Sequence, residues 1–299
     1  MAVLYAGGES FIKGSSNTAR IFNIRPLVIG VVVVAFATSA PEFCVSILAA
    51  IRKSRDLAIG NIVGSCICNI GLVLGLSALI KPIQAEKRLL KRELPILLAV
   101  TVGLFLVSLD NRISRPEALI LLVAFFAFIF SCLKGGKDRV EDLGIATEKK
   151  PDKLKSFIFL GAGLVGLLGG AYLMVNSAVF LARYFGISEL VIGLTVVAIG
   201  TSLPELAASL IASRRGEGEI SIGNVIGSNI FNILGVIGVV CLIRPITVDP
   251  NIFIVSMPLL LLITFALWPV MKIGQKITRF EGLILLVVYT GYLTFLIKK

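Results

Sequence analysis

The chain predicts an all-α polytopic membrane protein: ten transmembrane helices arranged as two inverted five-helix repeats. Three observations predict it. The 299 residues are 57% hydrophobic with a mean hydropathy of +0.96, well above the roughly 45–50% apolar usage of soluble domains. Apolar runs such as 94–109, 118–132, 157–173, 253–270 and 283–297 approach or reach the ~17–25 residues that a spanning helix needs. Finally, the chain repeats itself within those runs.

Basic or proline-bearing loops divide the chain into spans at 2–19, 26–51, 57–80, 93–110, 116–133, 156–182, 188–213, 220–243, 252–271 and 280–297. A large soluble core is the alternative, but no amphipathic surface helices support it. Residues 28–83 align without a gap on 191–246 at a constant offset of 163, with nearly half of the positions identical. Five spans separate one copy from the next. An odd number reverses direction across the bilayer, so the two copies are inverted, as in secondary transporters with polar sites at the midplane. The polar segment 134–155 then links a first repeat at 1–133 to a second at 156–299. By the same offset Met1 corresponds to Leu164, so the first helix starts about seven residues late and a truncated first helix is expected.

The net charge of +11 is topogenic. One side carries Arg20, Arg25, Lys81, Lys87, Arg88, Lys91, Arg92, the lysines and arginine of 134–155, Arg214, Arg215, Lys272, Lys276 and Arg279. The other carries the shorter set of Arg52, Lys53, Arg55, Arg112, Arg115, Arg183, Arg244, Lys298 and Lys299. The positive-inside rule places both termini outside the cell's inner (plasma) membrane and the 134–155 loop in the cytoplasm. No nucleic-acid partner follows, and no obligatory protein partner is evident. Cys66-x-Cys68 lacks the spacing of a zinc or redox pair, and the five cysteines read as small buried residues. With no histidine, a histidine proton relay is excluded.

The chemistry sits in the repeat. VVAFATSAPEFCVSILAA at 33–50 returns as VVAIGTSLPELAASLIAS at 196–213. Carboxylates within a membrane span are rare and functional. Pro41 and Pro204 cannot donate to residues 37 and 200 and should break their helices. Such irregular backbone survives in a bilayer only inside protein or beside a polar cavity. Glu42 and Glu205 then start the second half-helices, where the dipole favours their ionised form. Thr38 and Ser39 precede Glu42 by four and three residues, so all three oxygens can converge on one face. Thr201, Ser202 and Glu205 repeat the pattern, and Ser46 and Ser209 extend it by a turn.

A second wall is expected from Asn61, Ser65 and Asn69, spaced i, i+4, i+8, and from Asn224, Ser228 and Asn232; Asn229 is an unduplicated extra. Gly60-xxx-Gly64 and Gly223-xxx-Gly227 allow close helix approach. The bland reading is that these polar residues only join helices. Together, though, carboxylates, hydroxyls, amides and freed carbonyls make an all-oxygen site. Two carboxylates in a flexible site suit Ca²⁺ better than Mg²⁺, whereas zinc or copper would want His or Cys. Two glutamates balance one Ca²⁺ or two monovalent ions. Gly161-Ala-Gly-Leu-Val-Gly166 matches the dinucleotide fingerprint but lacks the strand that motif requires, and reads as glycine-mediated helix packing or sliding.

The segments Ala37-Thr-Ser-Ala-Pro-Glu42 with Gly60-Asn-Ile-Val-Gly-Ser-Cys-Ile-Cys-Asn69, and Gly200-Thr-Ser-Leu-Pro-Glu205 with Gly223-Asn-Val-Ile-Gly-Ser-Asn-Ile-Phe-Asn232, resemble the alpha repeats of the sodium/calcium exchangers of the cation/calcium antiporter superfamily, particularly small prokaryotic members. The resemblance implies helices two, three, seven and eight around the ions, with helices one and six sliding across them. It implies Glu42 and Glu205 as shared Ca²⁺/Na⁺ carboxylates, completed by Thr38, Ser39, Ser65, Asn69, Thr201, Ser202 and Ser228. The backbone carbonyls of Ala35 and Ala198 are implied at flanking sodium positions. Asn232 stands where some prokaryotic exchangers carry aspartate; it keeps an oxygen and loses a titratable charge.

The expectation is therefore a non-enzymatic Ca²⁺/Na⁺ antiporter without a cofactor. The rivals are a H⁺-coupled exchanger of the same fold, a passive cation channel and an intramembrane hydrolase. Inverted repeats argue against the channel, and the Gly-x-Gly-Asp of aspartyl intramembrane hydrolases is absent.

Overall fold

A computed structural model describes residues 1–52, 55–86, 88–135, 151–186, 198–250 and 252–298. Its helices are α1 (Ala2–Phe22), α2 (Pro26–Thr38), α3 (Ala40–Ile51), α4 (55–80), α5 (89–107), α6 (Arg115–Gly135), α7 (Lys153–Tyr184), α8 (Ala198–Thr201), α9 (Leu203–Arg215), α10 (Gly218–Ile243), α11 (Ile252–Gly274) and α12 (Arg279–Lys298). Short strands β1 (Ile83–Gln84), β2 (Arg112–Ile113), β3 (Ile246–Thr247) and β4 (Lys276–Ile277) lie in the connections.

Six described helices are long and apolar enough to cross a membrane, and α2 with α3, bent by 45°, makes a seventh. Their burial is inverted relative to a soluble bundle. In α4 and α10, 78% and 83% of the apolar window is buried, against 22% in α6 and α7 and 11% in α12. The outer helices present Ile120, Phe126, Phe130, Val165 and Phe180, each more than half exposed. A contiguous apolar exterior of that kind is stable against lipid and not against water. The observed helices overrun the expected spans at several ends: α7 reaches Lys153 and Tyr184, and α5 begins at residue 89 and stops at 107. Residues 188–197 of the expected seventh span, and most of the 134–155 segment, lie outside the described residues.

The offset of 163 is visible in the backbone. β1 and β3 occupy equivalent places, as do the wider π-helical turns at Leu89–Glu93 and Ile252–Ser256. Similar turns at Asn69–Leu74 and Phe231–Val236 agree within one residue. The strands pair across the repeats, β1 with β4 (Ile83 opposite Ile277) and β2 with β3 (Ile113 opposite Ile246).

Glycines set the closest helix approaches. A Cβ on Gly223 would sit 2.7 Å from the Leu27 carbonyl oxygen, and one on Gly227 2.7 Å from the Val31 Cα, so α10 presses directly on α2. In the first repeat, among the described residues, Gly60 meets the Ile252 side chain and Gly64 meets nothing within 4 Å; residues 190–194, the sequence equivalents of Leu27–Val31, lie outside the described residues. We expect Gly223→Ala to destabilise the protein by about 1–3 kcal/mol, the range for overpacking against an unyielding neighbour. Thermal unfolding in detergent checks this, and an unchanged midpoint would contradict it. Gly163 and Gly166 of the glycine-rich run in α7 face Phe11 and Gly7 of α1 backbone to backbone, as do Gly14 against Leu160 and Gly170 against Leu4. The run is a helix-packing surface, and Gly161 takes no part in it.

Candidate cation site

Both helix breaks fall where the prolines require. Ser39 (φ −80°, ψ 8°) ends α2, and Ser202 (φ −88°, ψ 8°) ends α8. Pro41 and Pro204 then occupy the first turns of α3 and α9, where a missing N–H is no loss. Glu42 and Glu205 share those first turns, so each carboxylate sits at the positive end of a helix. Both are fully buried, at 0% exposure.

The hydroxyls do not converge as helix spacing suggests. Ser39 Oγ donates to Glu205 Oε1 at 2.7 Å, and Ser202 Oγ donates to Glu42 Oε1 at 3.0 Å. Each serine thus serves the glutamate of the other repeat. Its own helix breaks at that serine, turning the hydroxyl away from the glutamate three residues on. Ser65 Oγ adds a longer bond to Glu42 Oε1 at 3.4 Å, and Ser228 lies beside Glu205. The two carboxylates are close enough to repel each other.

Thr38 Oγ1 returns its proton to the α2 backbone at Val34 (3.0 Å) and lies 3.1 Å from Asn224 Oδ1. Thr201 mirrors it against Asn61 Oδ1 at 3.5 Å. Asn61 and Asn224 are braces. Their amides donate to Ser46 Oγ (3.0 Å) and Ser209 Oγ (2.9 Å), and to the backbone carbonyls of Glu42 and Glu205. They hold the second half-helices in place, so Ser46 and Ser209 support the site from behind. The Ala35 carbonyl accepts the Ser39 N–H at 3.0 Å and lies 3.4 Å from the Thr38 hydroxyl. Ala198 opens α8.

The unsatisfied atoms mark what the arrangement can do. Glu42 Oε2, Glu205 Oε2, Asn69 Oδ1, Ser228 Oγ and Asn232 Oδ1 are buried oxygens without a hydrogen-bond partner. Buried polar atoms are normally paired, and each unpaired one costs on the order of 1–3 kcal/mol, more when charged. No hydrogen bond or ion pair described for Glu42 or Glu205 involves Lys or Arg. Two like charges held among hydroxyls and amides require a bound cation or protons to be stable out of water.

Sequence reasoning named Asn229 without giving it a place. It lies on the contact between α4 and α10, accepting from Asn69 Nδ2 (3.0 Å) and donating to the Cys66 carbonyl (3.2 Å). The available signal was that position 229 is the equivalent of Cys66, one of the few polar differences between the repeats.

Known proteins share this chain's sequence and fold. The family model for sodium/calcium exchanger protein matches residues 1–134 and 155–298. A putative antiporter, CaxA, of Alkalimonas amylolytica is 40% identical over 305 residues, covering 98% of this chain and 94% of its own. The sodium/calcium exchanger MaX1 of Methanosarcina acetivorans is 32% identical, covering 99% and 96%. A solved structure of the sodium-calcium exchanger NCX_Mj, soaked without Na⁺ and Ca²⁺, superposes with a TM-score of 0.88 at 37% identity, covering 99% of this chain and 95% of that one. The chain belongs to the sodium/calcium exchanger family.

Proposed function

We propose that this protein is a secondary antiporter that exchanges Ca²⁺ for Na⁺ by alternating access around Glu42 and Glu205. One observation carries the reading: two buried carboxylates, one from each repeat, held by the hydroxyls of Ser39, Ser65 and Ser202 and each left with an unpartnered oxygen. Their two formal charges are balanced by one Ca²⁺ or by two monovalent ions. A site that must be neutral to cross the bilayer therefore exchanges one for the other. Thr38, Ser39, Ser65, Asn69, Thr201, Ser202, Ser228 and Asn232, with the carbonyls of Ala35 and Ala198, complete the ligand set. The ten spans form inverted halves at 1–133 and 156–299, in the inner membrane with both termini outside and the 134–155 loop cytoplasmic. The relatives' names, sodium/calcium exchanger and putative antiporter, support the same ions and mode.

A proton-coupled exchanger is the second reading, because a buried glutamate can be neutralised by a proton as well as by Na⁺. Purified protein in proteoliposomes separates the two. A sodium gradient is expected to drive saturable ⁴⁵Ca²⁺ uptake with the membrane potential clamped. Equal uptake driven by a proton gradient with sodium absent would overturn the sodium assignment. Non-saturable flux without counterflow would overturn antiport itself.

A further inference from the structure

The two asparagines at the α4–α10 contact are not held alike. The Cys66 carbonyl can only accept, so Asn229 must turn its amide nitrogen towards it (3.2 Å). That leaves Asn229 Oδ1 facing Asn69, which in turn must offer its nitrogen (3.0 Å). An amide has one donor end and one acceptor end, so Asn69 Oδ1 is forced the other way. It is buried and unpartnered, one turn beyond Ser65, whose hydroxyl reaches Glu42. A backbone carbonyl thus fixes the polarity of a side chain two residues removed along the relay.

The other half has no such relay. By the repeat offset, Asn232 should find at position 66 what Asn69 finds at 229, and it finds a thiol. The Asn232 amide lies beside Cys66, yet both its nitrogen and its oxygen are buried without a partner. No hydrogen bond fixes which way that amide turns.

We propose that Asn229 is a positioning residue that locks the Asn69 oxygen towards the cation site, and that Cys66 leaves the equivalent Asn232 amide unlocked, making the two halves of the site unequal. This rests on the reading of Glu42 and Glu205 as the cation carboxylates. The outer contacts that orient a ligand are typically worth 10–100-fold in metal affinity.

The test is ⁴⁵Ca²⁺ uptake by proteoliposomes under a sodium gradient, read as KM and maximal rate, with equilibrium ⁴⁵Ca²⁺ binding to the detergent-solubilised protein. Asn229→Ala is expected to raise the Ca²⁺ KM roughly tenfold or more, a larger change than any fall in maximal rate. Asn229→Asp, whose protonated carboxyl can donate to the Cys66 carbonyl while its other oxygen faces Asn69, should recover most of the loss at a pH that keeps it neutral. The Cys66 thiol donates to the Asn229 backbone carbonyl at 4.0 Å; in Cys66→Ser the hydroxyl proton takes that same carbonyl, which leaves a stronger acceptor for the Asn232 amide and should lower the KM about fivefold, the size of one net hydrogen bond. An unchanged KM in folded Asn229→Ala, or equal impairment of the alanine and aspartate variants, would overturn the relay. If Asn229→Ala does not fold, Cys66→Ser decides alone, and an unaltered KM there counts against the proposal. Glu42→Gln serves as the separate control: normal exchange in that variant would remove the cation-site reading, whatever Asn229 does.

Discussion

Glu42→Gln, and equally Glu205→Gln, is expected to abolish Ca²⁺ exchange while leaving a folded protein. The amide is nearly isosteric, and its oxygen can still accept from Ser202 and Ser65 at position 42, or from Ser39 at position 205. Shape and packing therefore persist. What is lost is one of two charges in a site away from water, so a bound Ca²⁺ would carry an uncompensated positive charge. Removing one partner of a buried ion pair costs about 3–5 kcal/mol, which lowers Ca²⁺ affinity by a factor of roughly 10² to several thousand. A second readout separates this from misfolding. Two carboxylates that repel each other destabilise the cation-free protein, so in chelator the thermal midpoint of either variant should equal or exceed that of the parent. The Ca²⁺-dependent rise in midpoint, which follows from ligand binding only to the folded state, should disappear. Near-normal uptake by either variant would sink the assignment of the two carboxylates.

Gly163→Val should disable the protein by a different route. A Cβ at Gly163 would fall on the Phe11 backbone nitrogen, with the Phe11 Cα 2.6 Å away. Backbone cannot rotate aside as a side chain can, so α1 must separate from α7 along the face where Gly7, Gly14, Gly166 and Gly170 make the same contact. Overpacking alone costs about 1–3 kcal/mol. Displacing a whole helix face also forfeits the close packing above and below the substituted position. We expect a lower melting temperature in detergent and little or no transport. Gly161→Val is the internal control: it belongs to the same glycine-rich run, but among the described residues its Cβ would meet nothing within 4 Å, so it should match the parent. If the two valine variants behave alike, the backbone-to-backbone packing of α1 and α7 is not what the glycines provide.

These sites differ in how far sequence alone reveals them. Glu42 and Glu205 are legible because a carboxylate in an apolar run is conspicuous and the repeat shows it twice. The breaks at Ser39 and Ser202 are legible because proline chemistry is local. The exchange of serines between glutamates is not. Helical spacing relates Ser39 only to Glu42, and its true partner lies 166 residues away. The π-helical turns at Asn69–Leu74 and Phe231–Val236 carry no residue signature, yet they reset the register of the helix at Asn69 and Asn232. Asn229 stayed hidden because matching one repeat against the other favours what is duplicated.

The four short strands have a mechanical consequence. β1 and β2 lie at the two ends of α5, about 28 Å apart for a helix of its length at 1.5 Å per residue. Each is joined to a strand of the opposite repeat, with further backbone bonds from Ala85 to Gln275 (2.7 Å) and from Val248 to Asn111 (2.9 Å). Two halves riveted together at both rims have no free axis on which to swing apart. They form a chassis. For the antiport proposed above, the part left to move would be the α1–α7 pair, which packs glycine to backbone and is tied into neither strand seam.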